Sequence, residues 1–98
     1  MDLEFRDGDL EACAKETKLA VRRWGADVGD KYVQRLVILN NAPDFQSLYQ
    51  LRFLRLHKLE GDRRDFYALT LHGRWRLLVS LLGEKRVRIE EVSNHYGD

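Results

Sequence analysis

The stretch Phe66-Tyr67-Ala68-Leu69-Thr70-Leu71-His72-Gly73-Arg74-Trp75-Arg76-Leu77-Leu78-Val79-Ser80-Leu81-Leu82 decides the fold. Two runs rich in aromatic, leucine and β-branched side chains flank a glycine, which is the pattern of two strands joined by a hairpin. Gly73 accepts positive φ at no steric cost, so His72-Gly73 is expected to form a two-residue turn between strands at Phe66 to Leu71 and Trp75 to Leu82. In that register Leu71 faces Arg74 and Leu69 faces Arg76. Tyr67, Leu69 and Leu71 then share a face with Arg74, Arg76 and Leu78, while Phe66, Ala68 and Thr70 lie beside Trp75, Leu77 and Val79. The Trp75, Leu77, Val79, Leu81 face is the cleaner apolar one and is expected to meet the core, leaving the arginine face partly solvated.

Outward from the hairpin, the same period of two predicts strands at Phe53 to Leu59 and Val87 to Val92, with a short strand at Asp2 to Arg6. The period changes between them. Leu10, Cys13, Ala14, Thr17, Ala20, Val21 and Trp24 recur at spacings of three and four, after Asp7 and Asp9 as candidate caps and before a terminating Gly25. A second helix is expected from Asp27, with Val28, Tyr32, Leu36 and Leu39 on one stripe and Val33, Val37 and Ile38 beside it, stopped by Asn40-Asn41-Ala42-Pro43. Pro43 to Gln50 read as a connection containing one short helical turn around Phe45 to Tyr49. The expected class is α+β, with two N-terminal helices packed on a mostly antiparallel four- to five-stranded sheet. At 98 residues the chain can bury one core, so residues 1–98 are expected to form a single domain.

Charge narrows the function classes. Seventeen Lys and Arg against 16 Asp and Glu give a net +1, so no whole-chain field draws a nucleic acid or a membrane. The distribution is uneven: Arg52 to Arg76 hold seven basic and three acidic side chains. The lone Cys13 excludes an internal disulfide framework and any CxxC motif, and the cytoplasm is the expected compartment. Cys13 lies on the apolar helix stripe and reads as a small buried hydrophobe. Met1-Asp2-Leu3-Glu4 lacks a positive region and an apolar stretch, so no signal peptide is expected, and no apolar run approaches the roughly 18 residues of a membrane span. His57, His72 and His95 lack paired short ligand spacings, so neither a metal site nor any cofactor is expected. No glycine-rich phosphate loop or GxSxG elbow is present either.

The remaining candidates are histidines and arginines. Imidazole titrates near neutral pH, so each histidine can in principle donate or accept a proton. His72 falls in the turn and reads as solvated. His57 sits in a strand between Leu56 and Lys58, and His95 follows the last strand in Ser93-Asn94-His95-Tyr96. Arginine's planar fork suits phosphate, and here arginines alternate with apolar residues along strands, which fixes their direction.

Leu56-His57-Lys58-Leu59-Glu60-Gly61-Asp62-Arg63-Arg64-Asp65-Phe66-Tyr67, followed by Gly73-Arg74-Trp75-Arg76-Leu77, resembles the central block of the HigB toxins of the RelE superfamily. The resemblance runs on into Val92-Ser93-Asn94-His95-Tyr96, where many members close with Asp-Tyr-His. It implies a small cytoplasmic toxin of a type II toxin–antitoxin system. Such a toxin is an endoribonuclease, or mRNA interferase, that cuts messenger RNA in the ribosomal A site, and its partner is a HigA-like helix-turn-helix antitoxin. By motif position the implied catalytic residues are His57, Arg76 and His95. The implied RNA-binding residues are Lys58, Arg63, Arg64, Arg74 and Tyr96.

Metal-independent RNA cleavage uses the substrate's 2′-OH as nucleophile. It needs a base, cationic donors for the phosphorane-like transition state, and an acid for the leaving oxygen. His57 and His95 are the candidates for base and acid, in either order, with Arg76 as the clamp. The competing expectation is a non-catalytic RNA- or protein-binding module that uses the same basic strand face.

Overall fold

The computed structural model describes residues 1–63 and 65–94, apart from the Arg63 side chain. In chain order the elements are β1 (Asp2–Phe5), α1 (Gly8–Lys15), α2 (Thr17–Trp24), α3 (Ala26–Asn41), β2 (His57–Lys58), β3 (Phe66–Thr70), β4 (Arg76–Gly83) and β5 (Arg86–Ser93). Short 3-10 turns at Gln46–Gln50, Arg52–Leu54 and Gly61–Arg63 fill the connections. The sheet order is β1-β5-β4-β3-β2, with β1 parallel to β5 and the other pairs antiparallel.

Helices cover one face of this sheet. Val28, Tyr32, Leu36 and Leu39 of α3 pack with Leu69, Leu77, Val79, Val87 and Ile89, as the stripe and the apolar strand face lead one to expect. Asp7 caps α1 by accepting from the Leu10 amide at 2.9 Å. The expected first helix is in fact two. Glu16, at φ −134° and ψ 112°, breaks the rod between α1 and α2, and Gly25 at φ +88° then separates α2 from α3. One extended residue suffices for the corner at Glu16, and because both flanking segments keep helical spacing, periodicity alone does not reveal it.

Two further expectations are corrected. The strand at Phe53 to Leu59 reduces to His57–Lys58, because Arg52–Leu54 forms a 3-10 turn that drives Leu54 fully into the core. The hairpin turn has three residues rather than two. The Leu71 amide donates to the Trp75 carbonyl at 3.0 Å and the Trp75 amide to the His72 carbonyl at 2.9 Å, with Gly73 at φ +57°. Arg76 therefore pairs with Thr70, and Leu69 pairs with Leu77. This one-residue slip exchanges the faces. Leu69 and Leu71 enter the main core, whereas the expected register would have set them against Arg74 and Arg76 and forced Thr70 inward.

The face away from the helices carries Thr70, Ala68 and Phe66 beside Arg76, Leu78 and Ser80. Leu59, Ala68 and Leu78 form a small second core there, with Phe66 against it. A bulge in β5 lets Leu78 pair with Glu91 and Val79 with Ile89, so Glu90 is the extra residue. Its carboxylate accepts from the Ser80 hydroxyl at 2.5 Å.

Candidate functional site

At the end of the sheet where β3 finishes and β4 begins, a cleft of about 400 Å³ is lined by Arg55, Leu56, His57, Thr70 and Arg76. His57 reaches it from the edge strand, where pairing with Ala68 sets it on the face of Thr70 and Arg76. Arg76 is only 9% exposed, and its Nη1 donates to the Gly73 carbonyl at 2.8 Å and the Trp75 carbonyl at 3.0 Å. The hairpin backbone thus holds the guanidinium in place before any ligand arrives. Among the described residues no carboxylate lines the cleft, so the two arginines give it a positive field.

Three lining or supporting features lie outside the sequence expectations. The Thr70 Oγ1 is buried and has no hydrogen-bond partner among the described residues. Arg55 adopts the left-handed conformation, φ 50° and ψ 43°, and its carbonyl meets His57 Nδ1 at 2.9 Å. Arg35, 4% exposed, donates from Nε to the Thr70 carbonyl at 2.9 Å and from Nη1 to Gln34 at 2.7 Å, with its guanidinium 5.1 Å from the centre of the Phe53 ring. β2 pairing ends at His57, so Arg35 supplies a donor to the edge of β3 where the neighbouring strand has stopped. Burial lowers the Arg35 pKa from its ordinary value. A sequence signal for Arg35 exists: it lies three residues after Tyr32 and four before Leu39, on the buried stripe. Arg55 had none, because the segment reads as strand.

The other sequence candidates are dispersed. Lys58 is exposed and projects from the face of β2 opposite His57, and Arg74 is exposed in the hairpin turn. Neither lines the cleft. His72, also in the turn, lies 3.5 Å from Asp27. Arg64, His95 and Tyr96 lie outside the described residues, as does the Arg63 side chain. β5 ends at Ser93, which pairs directly with Arg76. Cys13 is buried, and burial pushes its thiol pKa up. Among the described residues no group of three or more His, Cys, Asp or Glu side chains is placed to hold a metal ion. No described helix is long and apolar enough to cross a membrane.

No sequence-family model and no curated protein matches the chain. Solved structures do. A YoeB/ParE toxin from Agrobacterium tumefaciens superposes with a TM-score of 0.58 at 15% identity, covering 98% of this chain and 100% of that one. YafQ from E. coli strain BL21(DE3) gives 0.58 at 23% identity, covering 96% and 92%. The E. coli DinJ-YafQ toxin-antitoxin complex gives 0.54 at 26% identity, covering 96% and 91%. The fold is that of the RelE-like toxins. On this RelE-like frame the cleft of His57 and Arg76 opens on the sheet face that the helices leave uncovered.

Proposed function

We propose that the chain is the toxin of a type II toxin–antitoxin pair, a HigB-like endoribonuclease that cuts messenger RNA on the ribosome. The observation that carries this reading is the convergence of His57 and Arg76 on one cleft. A general base and a restrained guanidinium are the groups that attack by a 2′-OH requires. The base removes the 2′-OH proton, the 2′ oxygen forms a bond to phosphorus, and the phosphorus–O5′ bond breaks. The departing O5′ takes a proton from the acid, leaving a 2′,3′-cyclic phosphate and a 5′-OH.

In this reading His57 and His95 divide the two proton transfers. Ser93 pairs with Arg76, and His95 follows it by two residues in sequence. Arg76 stabilises the charge that builds on the phosphoryl oxygens. Lys58, Arg63, Arg64 and Arg74 hold the RNA backbone, and Tyr96 stacks on a base. Neither a metal ion nor a cofactor takes part. The whole of residues 1–98 acts as one domain in the cytoplasm, with a HigA-like helix-turn-helix antitoxin as partner. The DinJ-YafQ toxin-antitoxin complex, similar in fold, supports an antitoxin partner.

Induction of the chain alone in a bacterium tests the reading. Growth should slow and intact messenger RNA should fall, with relief when a helix-turn-helix antitoxin encoded beside it is co-expressed. Normal growth and translation at verified soluble expression would overturn the toxin assignment. RNA binding without any cleavage would favour the non-catalytic module.

A further inference from the structure

We propose that the left-handed backbone of Arg55 is a positioning device for His57, fixing the tautomer in which Nδ1 carries the proton and Nε2 is the nitrogen that accepts one. The catalytic part of this inference rests on the RNA-cleaving reading above; the tautomer itself does not.

Three observations converge on it. Arg55 is the one non-glycine with positive φ among the described residues. A 3-10 turn commonly ends in the left-handed region, but glycine or asparagine usually stands there, because a side chain with a Cβ is strained in it. Arg55 is exposed, so burial of its own side chain does not account for that strain. Strained backbone of this kind gathers at functional sites, where the surrounding structure holds it.

The second observation is what the strain accomplishes. The Arg55 amide closes the turn on the Arg52 carbonyl at 3.1 Å, and its own carbonyl is left 2.9 Å from His57 Nδ1. A carbonyl oxygen can only accept, so Nδ1 must be the donor. A neutral imidazole has one N–H, and the second nitrogen is then a lone-pair acceptor. Free histidine favours the opposite tautomer, with the proton on Nε2, so the contact reverses the intrinsic preference.

The third is location: Arg55 and His57 line the same cleft as Arg76. With the proton held on Nδ1 by the backbone, Nε2 carries the lone pair that can take the 2′-OH proton, which fits His57 to the base role. This is the second-residue orientation that catalytic imidazoles require, supplied here by a main-chain carbonyl instead of a carboxylate.

The test separates backbone from side chain at position 55 in the full chain. Arg55→Gly and Arg55→Asn remove the guanidinium yet accept the left-handed conformation. Arg55→Val removes it and opposes that conformation, and Arg55→Ala supplies a milder version of the same comparison should valine prevent folding. The first readout is long-range ¹⁵N–¹H NMR of the His57 ring in alkaline buffer, assigned by the signals lost in His57→Gln. The wild type, Gly and Asn variants should show the Nδ1–H tautomer, and the Val or Ala variant should shift toward Nε2–H.

The second readout is cleavage kinetics: kcat of Arg55→Val should fall at least tenfold below that of Arg55→Gly, while KM stays within a few-fold between the two. A wild-type ring protonated on Nε2, or a tautomer indifferent to all four substitutions, overturns the proposal. If the tautomer follows the backbone as stated but the wild type cuts no RNA, the positioning device stands and the ribonuclease reading fails.

Discussion

The Tyr32 ring is fully buried, its centre 4.7 Å from that of Trp24, and its hydroxyl donates to the Leu10 carbonyl at 2.7 Å, tying α3 to α1. Burial raises the phenol's pKa well above its usual range, and burial raises the Cys13 thiol in the same way. For both groups the folded value exceeds the unfolded one. Their contribution to stability is therefore complete below the unfolded pKa and is lost as pH rises beyond it, because the unfolded chain gives up the proton first. Tyr32→Phe should cost about 1 kcal/mol at neutral pH by removing the buried hydrogen bond from the hydroxyl to the Leu10 carbonyl. It should also flatten the loss of stability above roughly pH 10, where the free phenol ionises. Urea midpoints at neutral and alkaline pH measure both effects, and an undiminished alkaline slope would contradict the assignment. Thr70 offers the opposite case. Its buried hydroxyl has no partner among the described residues, so Thr70→Val should leave stability unchanged or raise it by up to about 1 kcal/mol. A melting temperature that drops by several degrees would show that the hydroxyl is satisfied in solution.

At the scale of elements, α2 and α3 cross where Gly29 lets their backbones touch. A Cβ at Gly29 would stand 2.6 Å from the Val21 amide nitrogen and 2.7 Å from the Ala20 carbonyl carbon, both backbone atoms that cannot turn aside. Gly29→Ala should therefore destabilise the chain by roughly 1–3 kcal/mol despite alanine's better helix propensity, as forced separation of packed elements does. Thermal melting checks it; a stabilised variant would mean that the helices sit further apart. The helix stripe at Val28, Tyr32, Leu36 and Leu39 was legible because burial on one side imposes a spacing that no other element shares. The hairpin was legible as an element but not in register. Leu69 and Thr70 are both acceptable strand residues, and only the third turn residue, Arg74, decides which of them faces Arg76. The motif singled out His57 and Arg76, which line one cleft, although the two-residue strand that carries His57 was not legible. Arg55 stayed hidden, and Arg35 showed only its place on the buried stripe and not its role, for a different reason. Their roles depend on a backbone carbonyl meeting a side chain, His57 in one case and the Arg35 guanidinium in the other, and no residue pattern encodes that meeting.

Over the whole molecule, basic and acidic side chains nearly cancel, so the proposed function requires attraction to RNA to come from the local field of the cleft rather than from net charge. Few phosphates are then neutralised. If about three or four are engaged, the log–log salt dependence of single-stranded RNA affinity should have a slope of about −2 to −3. Fluorescence anisotropy across a salt series measures it, and a slope beyond about −6 would place the RNA on a much larger basic surface. The central claim is that His57 and Arg76 form one catalytic cleft on a RelE-like fold. It is tested most directly by mapping cleavage of a message in a reconstituted translation system supplied with the purified wild type, Arg76→Ala or His57→Ala. The wild type should leave new RNA ends with a 2′,3′-cyclic phosphate. Each variant should keep the wild-type melting profile to within a few degrees and cut on the order of 10²-fold more slowly, with the double variant little worse than either single. Folded His57→Ala and Arg76→Ala proteins that cut at the wild-type rate would contradict the account.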